Sequence, residues 1–298
     1  MTSVAHVELP EHFDSASQRR PRFKPPAGSC DTHVHIWGPK AKFPYAARRN
    51  YTPPDRPKED LATIHGLLGI DRAVIVQSSV YGTDHRAMLD AIAAAPAKRR
   101  GVAIVDDTTD DDALAALHAG GVRGVRFGFS KHHGGAADTR EFESVARRVG
   151  QLGWHVVLHL QHDELRTYRR FIDGLPGPFV IDHMGRVNAS EGLDAPLFRD
   201  LLALAADPRC WIKLSGAERL VGPAGLPLGD AVPFGRALAA VAPDRAIWGT
   251  DFPHPNNHVV PNDADLVDLL PEMLPYPALQ QAVLVDNPAR LYRFEEEA

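Results

Sequence analysis

Two cysteines in 298 residues are too few for a disulfide framework. Both, Cys30 and Cys210, lie inside apolar strand-like runs, where a thiol behaves as a small buried hydrophobe. That usage fits a reducing cytoplasm. The first residues lack the apolar core of a secretory leader, and no stretch of about 18 apolar residues is present to cross a membrane. Positive charge is not in excess. A formal charge of −5 and a pI near 6.3 give no bulk field to gather nucleic acid or an anionic bilayer. No glycine-rich dinucleotide fingerprint follows the first apolar run, and there is neither an internal repeat nor a low-complexity tract. What is left is the composition of an ordinary globular enzyme, 44% hydrophobic and 24% charged, long enough for one large core.

Residues 1–27 are polar, with a mixed basic and proline-containing run at 18–26 and no period, and read as an arm. Residues 28–298 read as one domain. Short β-branched runs recur in it at 30–36, 73–77, 101–105, 121–127, 155–160, 179–183, 211–215 and 246–251. Amphipathic segments separate most of them, at 84–95, 110–119, 140–152, 164–173, 195–206 and 233–241. Eight strands alternating with helices predict an α/β fold, a closed (β/α)8 barrel. A doubly wound open sheet is the alternative, weakened by the missing dinucleotide fingerprint. The segment 38–60, rich in proline and basic residues, is too long for an ordinary βα loop and is expected to cap the barrel mouth.

Barrel active sites form at the C-terminal ends of the strands, so the residues ending each run matter most. The first gives His33 and His35, the second Gln77, Ser78 and Ser79, the fourth Arg126 and the fifth His159. The sixth gives Asp182 and His183 with Arg186 beyond, the seventh Lys213 and Ser215 with Arg219 beyond, and the eighth Asp251 with His254. A barrel needs no such polar convergence for stability. A lone histidine at a strand end is ordinarily a hydrogen-bonded structural residue. His33 and His35 differ, because i and i+2 face one side of a strand, and Asp251 ending the last strand can complete a metal or acid–base set. Asp182 and His183 could instead form an internal pair. Arg126, Arg186 and Arg219 at three strand ends of one mouth point to anion recognition rather than to surface salt bridges. His162 and the His132–His133 pair read as solvated loop residues. Asp106, Asp107 and Asp110 to Asp112 read as a charge cluster at a helix start, and the Glu295 to Glu297 run as a tail.

Four stretches carry a resemblance in order along the chain: Cys-Asp-Thr-His-Val-His at 30–35, Asp-His-Met-Gly-Arg at 182–186, Trp-Gly-Thr-Asp-Phe-Pro-His-Pro-Asn at 248–256 and Val-Asp-Asn-Pro-Ala-Arg-Leu-Tyr at 285–292. With Tyr-Thr-Pro-Pro at 51–54 and Gly-Val-Arg-Phe at 124–127, the chain resembles the amidohydrolase superfamily, and within it the 2-pyrone-4,6-dicarboxylate lactonases. The resemblance implies a distorted barrel in which Asp251 is a general base on water while His33, His35 and His183 polarise the lactone carbonyl. It also implies that Tyr51, Ser79, Arg126, Arg186, Arg219 and His254 hold a small anionic lactone. These lactonases need no metal, whereas other members of the superfamily bind one or two divalent ions through the same histidines.

Two positions depart from the lactonase pattern. His159 stands where it has a tyrosine, at the strand end where metal-binding members place a ligand. A site for one divalent ion, zinc or manganese, from His33, His35, His159 and Asp251 is therefore an alternative to substrate contact by His159. His132 stands where the pattern has a further carboxylate-binding arginine, which predicts a substrate with one carboxylate fewer or a different anion. Rival functions on the same site are isomerisation of a sugar-acid lactone and decarboxylation. A catalytically silent ligand-binding barrel is a third, disfavoured because a binder needs no base beside two histidines.

Overall fold

The structure, a computed structural model, describes residues 7–8, 17–129, 139–161, 163–225, 227–257 and 260–294. Eight parallel strands form one sheet: β1 (Cys30–Val34), β2 (Arg72–Val76), β3 (Arg99–Ala103), β4 (Val122–Gly128), β5 (His155–His159), β6 (Phe179–Ile181), β7 (Cys210–Lys213) and β8 (Ala246–Ile247). Neighbours in sequence are neighbours in the sheet, from β1 to β8. The sheet closes beyond the regular part of β8. Thr32 N donates to Trp248 O at 2.9 Å, Asp251 N to His33 O at 2.9 Å and His35 N to Phe252 O at 2.8 Å. This is the (β/α)8 barrel expected, distorted at the seam because the predicted strand 246–251 keeps regular geometry only at its first two residues.

Strand alternation builds two cores. Val74, Val76, Val102, Val157, Val180, Trp211 and Ile247 point into the barrel and pack with Cys30 and with Tyr292 from the C-terminal helix. Ala73, Ile75, Ala103, Val156, Leu158, Phe179, Ile181, Cys210 and Ile212 face the helices. On β1 the parity changes. Cys30 belongs to the inner set and Val34 to the outer, although they are an even number of residues apart. Between them Asp31 pairs with Ala73 and Val34 with Ile75, so β1 carries one extra residue. This bulge turns the odd-numbered positions after it toward the barrel axis, and His33 and His35 with them.

Helices α1 (Lys58–Leu68), α2 (Arg86–Ala93), α3 (Asp111–Ala119), α4 (Thr139–Gln151), α5 (Pro196–Ala205), α6 (Ala217–Val221) and α7 (Val232–Val241) account for most of the connections. The start of α3 is capped by Asp110, whose side chain accepts from Ala113 N at 2.7 Å, with Asp111 and Asp112 in the first turn. The single helix expected at 164–173 is two short ones, Glu164–Thr167 and Arg169–Asp173, broken at Tyr168. The α1 helix was not expected, since its start falls in the segment read as a loop to residue 60. Its signal is nonetheless ordinary: Glu59 and Asp60 in the first turn, Leu61, Ile64, His65 and Leu68 buried along one stripe, and Gly69 closing it at φ 75°.

The rest of that segment does lie at the mouth. Trp37, Phe43 and Tyr51 pack with Val80, Tyr81 and Ala87 in a separate small core beside the end of β2. Part of the arm is also seen. Arg19 reaches Asp265 and Asp268, and the amides of Arg22 and Phe23 donate to Asp268 at 2.6 and 3.0 Å. Backbone residues Val7–Glu8 pair in parallel with Tyr51–Thr52. Cys30 and Cys210 are free and buried. No described helix is long and apolar enough to cross a membrane. His132, His133, His162 and Glu295 to Glu297 lie outside the described residues.

Candidate active site

The histidines and the acid singled out at the two distant strand ends meet. His33 Nε2 and His35 Nε2 each lie 3.5 Å from Asp251 Oδ1, and His183 Nε2 lies 3.9 Å from the same oxygen. All four side chains are buried. His33 Nε2 and Asp251 Oδ1 have no hydrogen-bond partner among the described residues, a costly state for buried polar atoms outside a functional site. Asp251 Oδ2 is held by the guanidinium of Arg219, through Nε at 2.9 Å and through Nη2. Burial pushes the Asp251 carboxyl up, but Arg219 and the facing histidines outweigh it and hold the group ionised well below the usual range. His183, Arg186, Asp251 and His254 all have φ between 51° and 67°, left-handed backbone that side chains with a Cβ rarely adopt and that clusters at functional sites.

Behind this centre lies a charged layer fully inside the barrel. Lys213, at the end of β7, is 2.9 Å from Asp182 Oδ1, and its Nζ lies 3.1 Å from His33 Nδ1. Arg126 donates to the other oxygen of Asp182 at 3.1 Å. Burial raises the Asp182 carboxyl, and Lys213, His33 and Arg126 more than reverse this, so it carries its charge. Burial, then the Lys213 charge, pushes His33 down to about 3 and keeps its ring neutral. His35 Nδ1 lies 2.8 Å from Val76 O, and His183 Nδ1 lies 2.9 Å from Ser215 Oγ. Asp31 staples the seam beneath. It accepts from His33 N at 3.1 Å, Thr250 N at 3.0 Å and Thr250 Oγ1 at 2.5 Å, with His65 Nε2 of α1 at 3.3 Å. Strand-end reading found Lys213 without giving it a role and missed Asp31, Thr250 and Gly249. Asp31 and Gly249 stand inside the motifs that carry the resemblance, which was the available signal.

At the rim, the Tyr51 hydroxyl lies 3.1 Å from Ser78 Oγ, to which Trp37 Nε1 also donates. Ser79 opens a short turn beside them. Arg186 Nη1 donates to His159 Nε2 at 3.2 Å, and burial, then the Arg219 charge, lowers its guanidinium to about 10. Of the three arginines proposed for anion binding, Arg126 and Arg219 already carry carboxylates, and Arg186 has none within ion-pair reach among the described residues. His254 turns Nε2 to Asp263 at 3.0 Å. Burial lowers its pKa, yet Asp263 raises it further, so the ring sits above its ordinary value.

A histidine–aspartate group close enough to share a cation is present. Among the described residues, His33, His35 and Asp251 form one set with ligand atoms within 4.8 Å, and His33, Asp182 and His183 another. His159 belongs to neither. The four-ligand set offered by the sequence is therefore not assembled as one group. The outer nitrogen of His35 faces the Val76 carbonyl, and that of His33 lies between Lys213 Nζ at 3.1 Å and Asp182 Oδ1 at 3.4 Å. A divalent ion would be held by His33, His35 and Asp251 and would supply polarisation of a carbonyl oxygen.

Comparison with known proteins places the chain among lactone hydrolases. A 2-pyrone-4,6-dicarboxylate hydrolase from Comamonas testosteroni is 42% identical, covering 94% of this chain and 95% of its own. A 4-sulfomuconolactone hydrolase from Rhizobium radiobacter is 41% identical, covering 91% of each chain. A solved Acinetobacter baumannii structure, described as a probable 2-pyrone-4,6-dicarboxylic acid hydrolase with citric acid bound, superposes with a TM-score of 0.77. It is 26% identical over 89% of this chain and 99% of that one. Residues 30–294 match the amidohydrolase family, and with the barrel and its histidine–aspartate centre this chain belongs to that family.

Proposed function

We propose that the enzyme hydrolyses an anionic lactone, 2-pyrone-4,6-dicarboxylate or an analogue in which another anion replaces one carboxylate, without a metal. The observation that carries this is the meeting of three Nε2 atoms on Asp251 Oδ1 while Arg219 holds Oδ2. Water held by Asp251 adds its hydroxide to the ring carbonyl and leaves its proton on the carboxylate. The tetrahedral oxyanion is stabilised by imidazole N–H, the ring C–O bond breaks, and Asp251 returns the proton to the leaving oxygen. Arg186, which has no carboxylate within ion-pair reach among the described residues, receives the substrate's anionic group. A second anionic group that competes for Arg219 would loosen its hold on Asp251 and restore basicity to the carboxylate. Tyr51, Ser79, Arg126, His159 and His254 line this reading as binding residues. The two relatives' printed substrates, both anionic lactones, support the substrate class.

We assign residues 28–298 to the catalytic barrel and 1–27 to an arm outside it, and place the enzyme in the cytoplasm, as its two buried free thiols favour. The test is turnover of a panel of pyrone mono- and dicarboxylates and a sulfonated muconolactone, before and after exhaustive chelation. Ring opening of at least one anionic lactone at an unchanged rate after chelation is expected. Loss of activity restored by zinc or manganese overturns the metal-free reading, and an inert panel overturns the lactonase reading.

A further inference from the structure

Lys213 is fully buried and has no part in the chemistry above, yet it touches one of the reacting histidines. A buried ammonium is expensive to keep, and Asp182 at 2.9 Å is its counter-ion. Its neighbour is what makes it informative. An ammonium offers three N–H donors and no acceptor, so across the 3.1 Å contact His33 Nδ1 must be the acceptor. A neutral imidazole has one N–H, and with Nδ1 accepting, that proton stands on Nε2. Nε2 is the orphaned atom 3.5 Å from Asp251 Oδ1.

His35 is fixed the other way. Its Nδ1 faces the carbonyl of Val76 at 2.8 Å, and a carbonyl can only accept, so Nδ1 carries a proton. The two rings, with centroids 5.0 Å apart, thus face one carboxylate oxygen with their Nδ1 atoms in opposite roles, that of His33 accepting and that of His35 donating. We propose that Lys213 is a positioning residue that locks His33 as an Nε2–H donor to the carbonyl oxygen, leaving Asp251 Oδ1 to orient the attacking water. Without Lys213, His33 Nδ1–H can turn to Asp182 Oδ1, 3.4 Å away, and the face toward the carbonyl becomes a lone pair.

The inference rests on the lactonase reading for its kinetic consequence but not for its spectroscopic one. In the intact protein labelled with 15N-histidine, and with His33 assigned by its loss in His33→Asn, the His33 ring should show a protonated Nε2 and an unprotonated Nδ1. His35 should show a protonated Nδ1. Lys213→Met should move the His33 proton to Nδ1 and lower kcat on the preferred lactone about 100-fold, the scale of losing one oxyanion donor, with KM changed by less than about threefold. If Lys213→Met does not fold because Asp182 loses its counter-ion, the double variant Lys213→Met with Asp182→Asn removes both buried charges and carries the same expectation. A His33 proton found on Nδ1 in the unaltered protein overturns the inference, as does a folded variant with unchanged kcat. If no lactone is turned over, the lactonase reading fails, and the tautomer of His33 still decides the role of Lys213.

Discussion

The two charged groups nearest the proposed chemistry, Asp251 and Arg186, should fail in different ways when removed. Asp251→Asn keeps the shape of the site and removes the base, so kcat is expected to fall by about 10²- to 10⁴-fold with substrate still bound; near-normal turnover would sink the mechanism. Among the described residues Arg186 meets no carboxylate within ion-pair reach and donates to His159. Arg186→Met should therefore raise KM about tenfold or more, the scale of a lost charge-assisted contact, and leave the urea midpoint nearly unchanged. Arg126→Met should instead weaken the fold, because Asp182 loses one of its two full cationic partners and keeps Lys213, with the His33 ring, against its buried charge. A destabilised Arg186→Met would show that its charge is structural. His33, His35 and Asp251 were legible in the sequence because residue type and strand-end position both marked them. The different states of the three arginines were not, since a strand-end list says which cations face the mouth and not which acids reach them.

At the scale of the element, the site depends on the seam where β1 meets the chain after β8. The bulge in β1 turns His33 and His35 inward, and Asp31 ties it to Thr250. The alternation of the sequence places these two histidines on one side of the strand, but nothing in it announces the extra residue that makes that side the inner one. Strand order and most helices were legible because hydrophobic period and turn residues are local; the bulge and the short regular part of β8 arise from closing the barrel, which is not. Gly249 marks how close that closure is. A Cβ there would meet His33 N at 2.7 Å and Asp31 Oδ1 at 2.9 Å, one a backbone atom and the other a fixed carboxylate. Gly249→Ala should therefore cost about 1–3 kcal/mol in denaturant unfolding and reduce turnover by shifting His33 against Asp251. A variant as stable and active as the parent would mean that the seam yields freely.

For the molecule as a whole, the same interior sets its tolerance of acid. Burial holds His33 and His155 neutral down to about 3, and burial, with nearby arginines or His33, also holds His159 and His183 well below the ordinary 6.5. In the unfolded chain these rings take up protons as pH falls through 6.5, and in the folded protein they do not. Stability is thus complete above about 6.5 and declines as pH drops below it, by about 1.4 kcal/mol per pH unit for each such ring. His254 acts in the opposite direction, because Asp263 raises it; its contribution is full below 6.5 and lost as pH climbs through the raised value. One ring does not offset four. Asp182 and Asp251 lose their stabilising charge only below their ordinary 3.8, so they do not contribute between pH 6.5 and 4.5. For a fold stable by about 5–15 kcal/mol, that slope brings unfolding near pH 5, well above the carboxylate range. Urea midpoints from pH 8 to 4.5 should be level at the top and fall steeply below 6.5. His155 lies against Tyr292, away from the reacting groups, and His155→Gln should reduce the slope by one ring's share whatever it does to stability at pH 8. A flat profile down to pH 5 would mean that these imidazoles accept protons inside the folded barrel, and the neutral His33 ring that Lys213 is proposed to orient would not hold there.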